Sequence, residues 1–103
     1  MIKAVILLKR KDSMTLEDFS EWMLKEHVPL AVKLEGLKRY QVNIARDPDG
    51  EYDGVSELWF DSEEDMLAAY ATEHGKAVAA DSMAHVRTRT RLVVDEHPFT
   101  PTN

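Results

Sequence analysis

The sequence predicts an α+β domain in the order β-α-β-β-α-β, with a four-stranded antiparallel sheet. Three observations lead there. Two long helical stretches, opened by capping signals at Thr15 and Ser62, are each flanked by segments of strand periodicity. The two middle strand segments follow one another across a turn rich in Asp, Pro and Gly. The chain has 103 residues and is 44% hydrophobic, which fits one packed domain and leaves no room for two.

Residues 2–8 (IKAVILL) carry apolar side chains at both parities, as a strand buried on both faces does. A charged loop, 9–13, leads to a helix over 15–36. Thr15 is its N-cap, Asp18 three places on completes a capping-box pattern, and Glu17 and Asp18 complement the positive end of the helix. Gly36 supplies the stop. Leu16, Phe19, Met23, Leu30 and Leu34 form one apolar stripe, and His27 lies on it. Pro29 has no N–H, so the carbonyl of Lys25 loses its donor and the helix should kink there.

Residues 37–46 alternate, with Tyr40, Val42 and Ile44 on one face and Arg39, Gln41 and Asn43 on the other. Asp47-Pro48-Asp49-Gly50 has type I turn chemistry, and its acidic residues lack the spacing of a calcium loop. In the strand 55–60, Leu58 and Phe60 oppose Val55, Glu57 and Trp59. Ser62 with Asp65 opens a second helix with Met66 and Tyr70 inward. Gly75 is expected to interrupt it, with helical spacing resuming over 76–86, where Asp81 and His85 stand at i and i+4. The last strand, 88–96, sets Arg87, Arg89 and Arg91 against Thr88, Thr90, Leu92 and Val94. Arginines at period two either grip an anion or form the solvated side of an edge strand, and the second is the commoner arrangement. The tail from about 98 should be irregular, within a single domain spanning 1–103.

This order is the split-βαβ, or ferredoxin-like, pattern, and right-handed crossovers place both helices on one face of the sheet. The other face then carries apolar residues of the first strand with Val55 and Trp59. Burial of apolar surface is worth roughly 25 cal/mol per Å², so a symmetric partner sheet is the natural cover and a homodimer through sheet faces is expected. A net charge of −6 argues against nucleic acid or an anionic membrane as partner. The absence of Cys excludes disulfides, thiol catalysis and Fe–S ligation. The longest apolar run, 4–8, is far short of a membrane span or signal core, so a cytoplasmic location is the default.

With the elements placed, the chain resembles the EthD family of the dimeric α+β barrel superfamily. The residues that carry the likeness are Glu26-His27-Val28-Pro29-Leu30 on the first helix, Gly36-Leu37-Lys38-Arg39-Tyr40 with Asn43 at the second strand, and Asp53-Gly54-Val55-Ser56-Glu57-Leu58-Trp59-Phe60 on the third. Asp81 and Glu96-His97 complete the set. The resemblance implies two ferredoxin-like subunits whose sheets pack into a dimeric α/β barrel. Each subunit would hold a cleft between sheet and helices, with the helix-one histidine pointing towards it. Related barrels include cofactor-free isomerases, cyclases and monooxygenases acting on hydrophobic ring compounds. Two positions depart from the pattern: Ile44 stands where many relatives have a second His, and His85 where they tend to carry an aromatic.

On spacing alone, His27 is a core histidine satisfied by a backbone carbonyl. The resemblance makes it a general acid or base instead, a role suited to an imidazole of ordinary pKa near 6.5. The expected function is cofactor-independent lyase, isomerase or cyclase-type chemistry on a small hydrophobic or aromatic carbonyl compound. Asn43 would donate to a developing oxyanion. Tyr40, Trp59, Asp81 and His85 are further candidate substrate-binding residues, Asp81 as the carboxylate that orients His85, or as its partner in an exposed helical ion pair. The alternative is a non-catalytic protein holding a hydrophobic metabolite in the same cleft. Ionisable groups converging on His27 would favour catalysis. Neither metal nor cofactor is expected, and His74 and His97 are given no role.

Overall fold

The computed structural model describes residues 1–102. Its elements run β1 (Ile2–Arg10), α1 (Leu16–Trp22), a π-helical turn (Met23–His27), α2 (Val28–Ala31), β2 (Arg39–Ile44), β3 (Gly54–Phe60), α3 (Glu63–Ala71), α4 (Glu73–His85) and β4 (Val86–Asp95). The sheet order is β2-β3-β1-β4 and every pairing is antiparallel, the ferredoxin-like arrangement expected from the sequence.

Register fixes which side chains face the helices. Ala4 pairs with Leu58 and Val93, Ile6 with Ser56 and Arg91, and Leu8 with Gly54 and Arg89. Tyr40, Val42 and Ile44 lie across from Leu58, Ser56 and Gly54. Residues directly opposite in a ladder share a face. The helix side therefore holds Ala4, Ile6, Leu8, Leu58 and Phe60, all buried together with Phe19, Trp22, Met23, Met66 and Val78. Two expectations change. The first strand is buried on its helix side, but Val5 and Leu7 on the other side are only half-buried. Arg89 and Arg91 stand opposite Leu8 and Ile6, on the helix side and not the solvent side, although β4 is an edge strand; Arg87 falls at a register shift, where Val86 takes the helix-side place. Arg87 and Arg91 reach out to exposure, whereas Arg89 is half-buried.

The first helix starts as its capping box dictates: Asp18 N–H donates to Thr15 Oγ1 at 3.0 Å, and Thr15 N–H to Asp18 Oδ2 at 3.2 Å. The irregularity expected at Pro29 lies one turn upstream, as the π turn, where Val28 N–H donates to the carbonyl of Met23. A π turn carries an extra residue and relieves the crowding a proline imposes on the carbonyls before it. Regular helix ends at Ala31, and Gly36 serves a later turn with φ of 78° instead of stopping the helix.

The second helical region breaks at Thr72, not at Gly75. Thr72 is extended (ψ 161°), and its hydroxyl accepts the Gly75 N–H at 2.9 Å to cap α4. Gly75 is the third residue of α4, and a Cβ there would lie 2.0 Å from the carbonyl oxygen of Ala69 and 2.6 Å from Tyr70 Cα. Only glycine lets α4 start so tightly against the end of α3. His74 then donates through Nε2 to, and so holds, the Leu30 carbonyl at 2.8 Å, tying the first turn of α4 to α2.

Candidate functional site

His27 closes the π turn and points between the sheet and α4; it is 6% exposed. Its partner is a side chain 54 positions away: Nδ1 lies 2.8 Å from Asp81 Oδ2. A carboxylate only accepts, so Nδ1 carries the proton and Nε2 keeps its lone pair. Burial pushes the imidazole below its ordinary pKa of 6.5; Asp81 opposes that shift, and the charge of Arg89 adds to it. The ring is thus a neutral base held in one tautomer.

Asp81 is in place because α4 is. Two helical turns separate it from His74, whose bond to Leu30 anchors α4 beside the segment that carries His27. The i, i+4 pair read from the sequence takes another form. His85 Nδ1 donates to the Asp81 backbone carbonyl at 2.8 Å and stands 3.6 Å from Oδ1, leaving the carboxylate to His27. Trp22, which the sequence analysis left off the helix stripe, packs between the two imidazoles. Its ring stacks on His85 (4.6 Å, 18°) and tilts against His27 (5.1 Å, 41°), and its buried Nε1 has no hydrogen-bond partner.

A crevice opens beside this cluster, lined on the sheet by Ile6, Leu8, Tyr40, Ser56 and Arg89, and on the helices by His27, Tyr70 and Ser82 among others. Its free space is about 10 Å³, the room of one water molecule. Burial pushes Tyr40 up to about 12, so its phenol stays protonated at physiological pH. Tyr70 is raised for the same reason, with Arg89 and Arg91 partly offsetting it. Ser56 Oγ and Arg89 Nε are buried without hydrogen-bond partners.

The family model described as the EthD domain matches residues 11–88. The chain belongs to the EthD family. No curated protein matches it. Among solved structures, this EthD protein is similar to an ethyl tert-butyl ether D family protein of Bacillus halodurans, with 24% identity over 94% of this chain and 99% of that one and a TM-score of 0.82. It is also similar to a dimeric ferredoxin-like protein of unknown function from Thermobifida fusca (20% identity, 90% and 88% covered, TM-score 0.74). A third is an antibiotic biosynthesis monooxygenase (20% identity, 95% and 100% covered, TM-score 0.70). At these identities the structural likenesses show the fold alone.

Of the residues singled out in the EthD sequence, His27, Asp81, His85 and Tyr40 come together on the helix side of the sheet. Asn43 and Trp59 do not. Both lie on the opposite face, because β2 and β3 alternate and these positions have the parity away from Tyr40 and Leu58. There Asn43 Nδ2 donates to Glu57 Oε2 and to the Val55 carbonyl, each at 3.0 Å. Trp59 is covered by Lys3 and Arg39, with Nζ 5.2 Å and Cζ 4.4 Å from its ring centroid, and its Nε1 donates to Glu96 at 3.3 Å. Lys3 bridges Glu57 and Glu96 at 3.1 Å each, so one polar network crosses the open face. Asn43 is thus not placed to donate to an oxyanion beside His27. Tyr70 takes the inward position expected of it, and Arg89 lies on the helix side instead of the solvated edge that its spacing favoured; Trp22 and Ser56 have no site role in the sequence reading. The available signal for the arginine face was Val93, an apolar residue on the parity of Arg89 and Arg91.

No helix among the described residues is long and apolar enough to cross a membrane, and no group of three or more His, Cys, Asp or Glu stands at metal-binding distance.

Proposed function

We propose that this EthD protein moves a proton on a small hydrophobic or aromatic carbonyl compound, as a lyase, isomerase or cyclase, with His27 as general base and then acid. The observation that supports this is the buried imidazole oriented by a carboxylate at 2.8 Å, beside a crevice lined with phenols and a guanidinium. Nε2 takes a proton from the carbon next to the carbonyl; the C–H electron pair becomes the new C=C bond, and the carbonyl π pair moves onto the oxygen to give an enolate. Asp81 stabilises the imidazolium that forms, and the same proton is returned to another atom of the substrate. The step is redox-neutral, so it draws on no external electron acceptor. The narrow crevice requires Arg89 or Tyr70 to give way when a ligand enters. We also propose a homodimer, supported by the half-buried Val5, Leu7 and Val55 and the exposed Leu92 on the open sheet face and by the dimeric state named for the Thermobifida fusca structure.

The test is deuterium exchange of the protons α to the ketone in 2-tetralone, which is neutral, and in phenylpyruvate, which carries a carboxylate, followed by NMR. Wild type should accelerate exchange of at least one over buffer, and H27Q should return it to the buffer rate while remaining folded. Exchange of both ketones in wild type at the buffer rate refutes the acid–base role and leaves the protein a binder of hydrophobic metabolites.

A further inference from the structure

We infer that the ligand of this crevice carries an anionic group, an aromatic carboxylate, and that Arg89 recognises it. The inference rests on the reading of the crevice as the ligand site, and deepens it by naming the ligand's charge.

The argument starts from a cation without a counter-ion. Among the described residues, nine ion pairs form; Arg87 enters one, with Asp12, and neither Arg89 nor Arg91 enters any. Arg89 is nonetheless half-buried, on the sheet face that packs against the helices, and its Nε is buried without a hydrogen-bond partner. A guanidinium carries its charge at any physiological pH, and a buried donor left unpaired is costly. Evolution normally pairs such a group or turns it to solvent; here it lines the crevice with His27.

Its neighbours reinforce the sign. Arg91 Cζ lies 5.6 Å and Arg89 Cζ 5.9 Å from the centroid of Tyr70, so two cations flank one phenol at the crevice wall. The phenols of Tyr40 and Tyr70 are held protonated by burial, and His27 is held neutral. Asp81 accepts from His27 and does not line the crevice. Arg89 is therefore the one cationic side chain among the crevice residues, with no carboxylate among them to pair it. A planar guanidinium fork matches a carboxylate through paired N–H donors. The apolar lining of Ile6, Leu8, Ala31 and Leu58 suits the ring to which that carboxylate is attached.

The test uses a matched pair of probes, benzoate and benzamide, which share shape and differ in charge. Each is titrated into wild type, R89M, R89K and H27Q, following the Arg89 Nε–H and His27 ring resonances. Benzoate should shift both resonances in wild type and bind about ten-fold or more tighter than benzamide. R89M should lose that preference, and R89K, which keeps the charge without the fork, should retain part of it. Equal affinity for the two probes, no shift with benzoate, or R89K and R89M each binding benzoate as wild type does would overturn the inference. The two readings fail separately. Benzoate selectivity that survives in H27Q, with wild-type exchange of both 2-tetralone and phenylpyruvate at the buffer rate, strikes the acid–base role and upholds this one; exchange with no benzoate preference does the reverse.

Discussion

Removing Asp81 isolates the feature on which the site depends. In D81A the Nδ1–H of His27 loses its acceptor at a position 6% exposed. A buried donor left unsatisfied, or a lost bond to a charged group, costs about 1–3 kcal/mol. The Asp81 side chain keeps 21% exposure against 8% for His27, so water recovers part of that loss and we expect a coupling of about 1–2 kcal/mol. For a domain of this size each kcal/mol moves Tm by about 4–8 °C, so D81A should melt several degrees below wild type. H27A removes the same bond and adds a void, and should be the more destabilised. The assay is a double-mutant cycle of H27A, D81A and the double variant by urea unfolding. Nitrogen-15 NMR on wild type should show Nδ1 protonated and Nε2 bare. Losses that add to within about 0.5 kcal/mol, or the opposite tautomer, refute the dyad.

Three further outcomes follow from other parts of the molecule. Burial holds His27 below its ordinary 6.5, so its NMR titration midpoint should fall under that value. The unfolded chain takes up this proton first, so stability should decline as pH falls through 6.5 and level off below the folded midpoint; D81N should push the midpoint lower and R89M should raise it, and a wild-type midpoint at or above 6.5 refutes the burial argument. G75A places a methyl 2.0 Å from the Ala69 carbonyl oxygen, and should cost about 3 kcal/mol by urea unfolding; a loss under about 1 kcal/mol would show that α3 and α4 are not held so tightly. Light scattering at micromolar concentration should give a dimer mass, and a monomer mass sinks the proposed assembly.

The fold was legible because its signals are local. Thr15 with Asp18 and Ser62 with Asp65 mark the helix starts at which the caps form. Gly50 N–H donates to Asp47 across the turn that its sequence specifies. The site was less legible because it is assembled by docking. Parity groups Arg87, Arg89 and Arg91 without saying which face they take; the ladder with β1 puts Arg89 and Arg91 on the helix side, and a register shift takes Arg87 out of the series. Local spacing favours an Asp81–His85 pair, whereas the Asp81 carboxylate turns to His27 because His74 and the close approach at Gly75 fix where α4 lies. Trp22 was legible: it stands three residues after Phe19 as Met23 stands four after, and one helical stripe takes both, as their burial shows.

Two buried ionisable groups in this chain show how structure and function separate. Asp53 is fully buried, and it is completely satisfied: Oδ2 accepts the Arg10 backbone N–H at 2.8 Å, Oδ1 binds the Arg10 guanidinium, and Lys9 Nζ stands 3.5 Å away. Its backbone is paired as well, with Leu8 and Ala45. Nothing is left over for a ligand, so Asp53 pins the end of β1 to the start of β3 and does no more. His27 is satisfied on one side only, and around it gather a π turn, a proline, an unpartnered indole N–H, an unpartnered serine and an unpaired arginine. Each of these departs from the rules that stabilise the rest of the domain, and natural sequences concentrate such departures where a ligand completes the site. Asp53 closes its network within the chain; His27 Nε2 and the Arg89 guanidinium do not, and the proposed ligand is what would meet them.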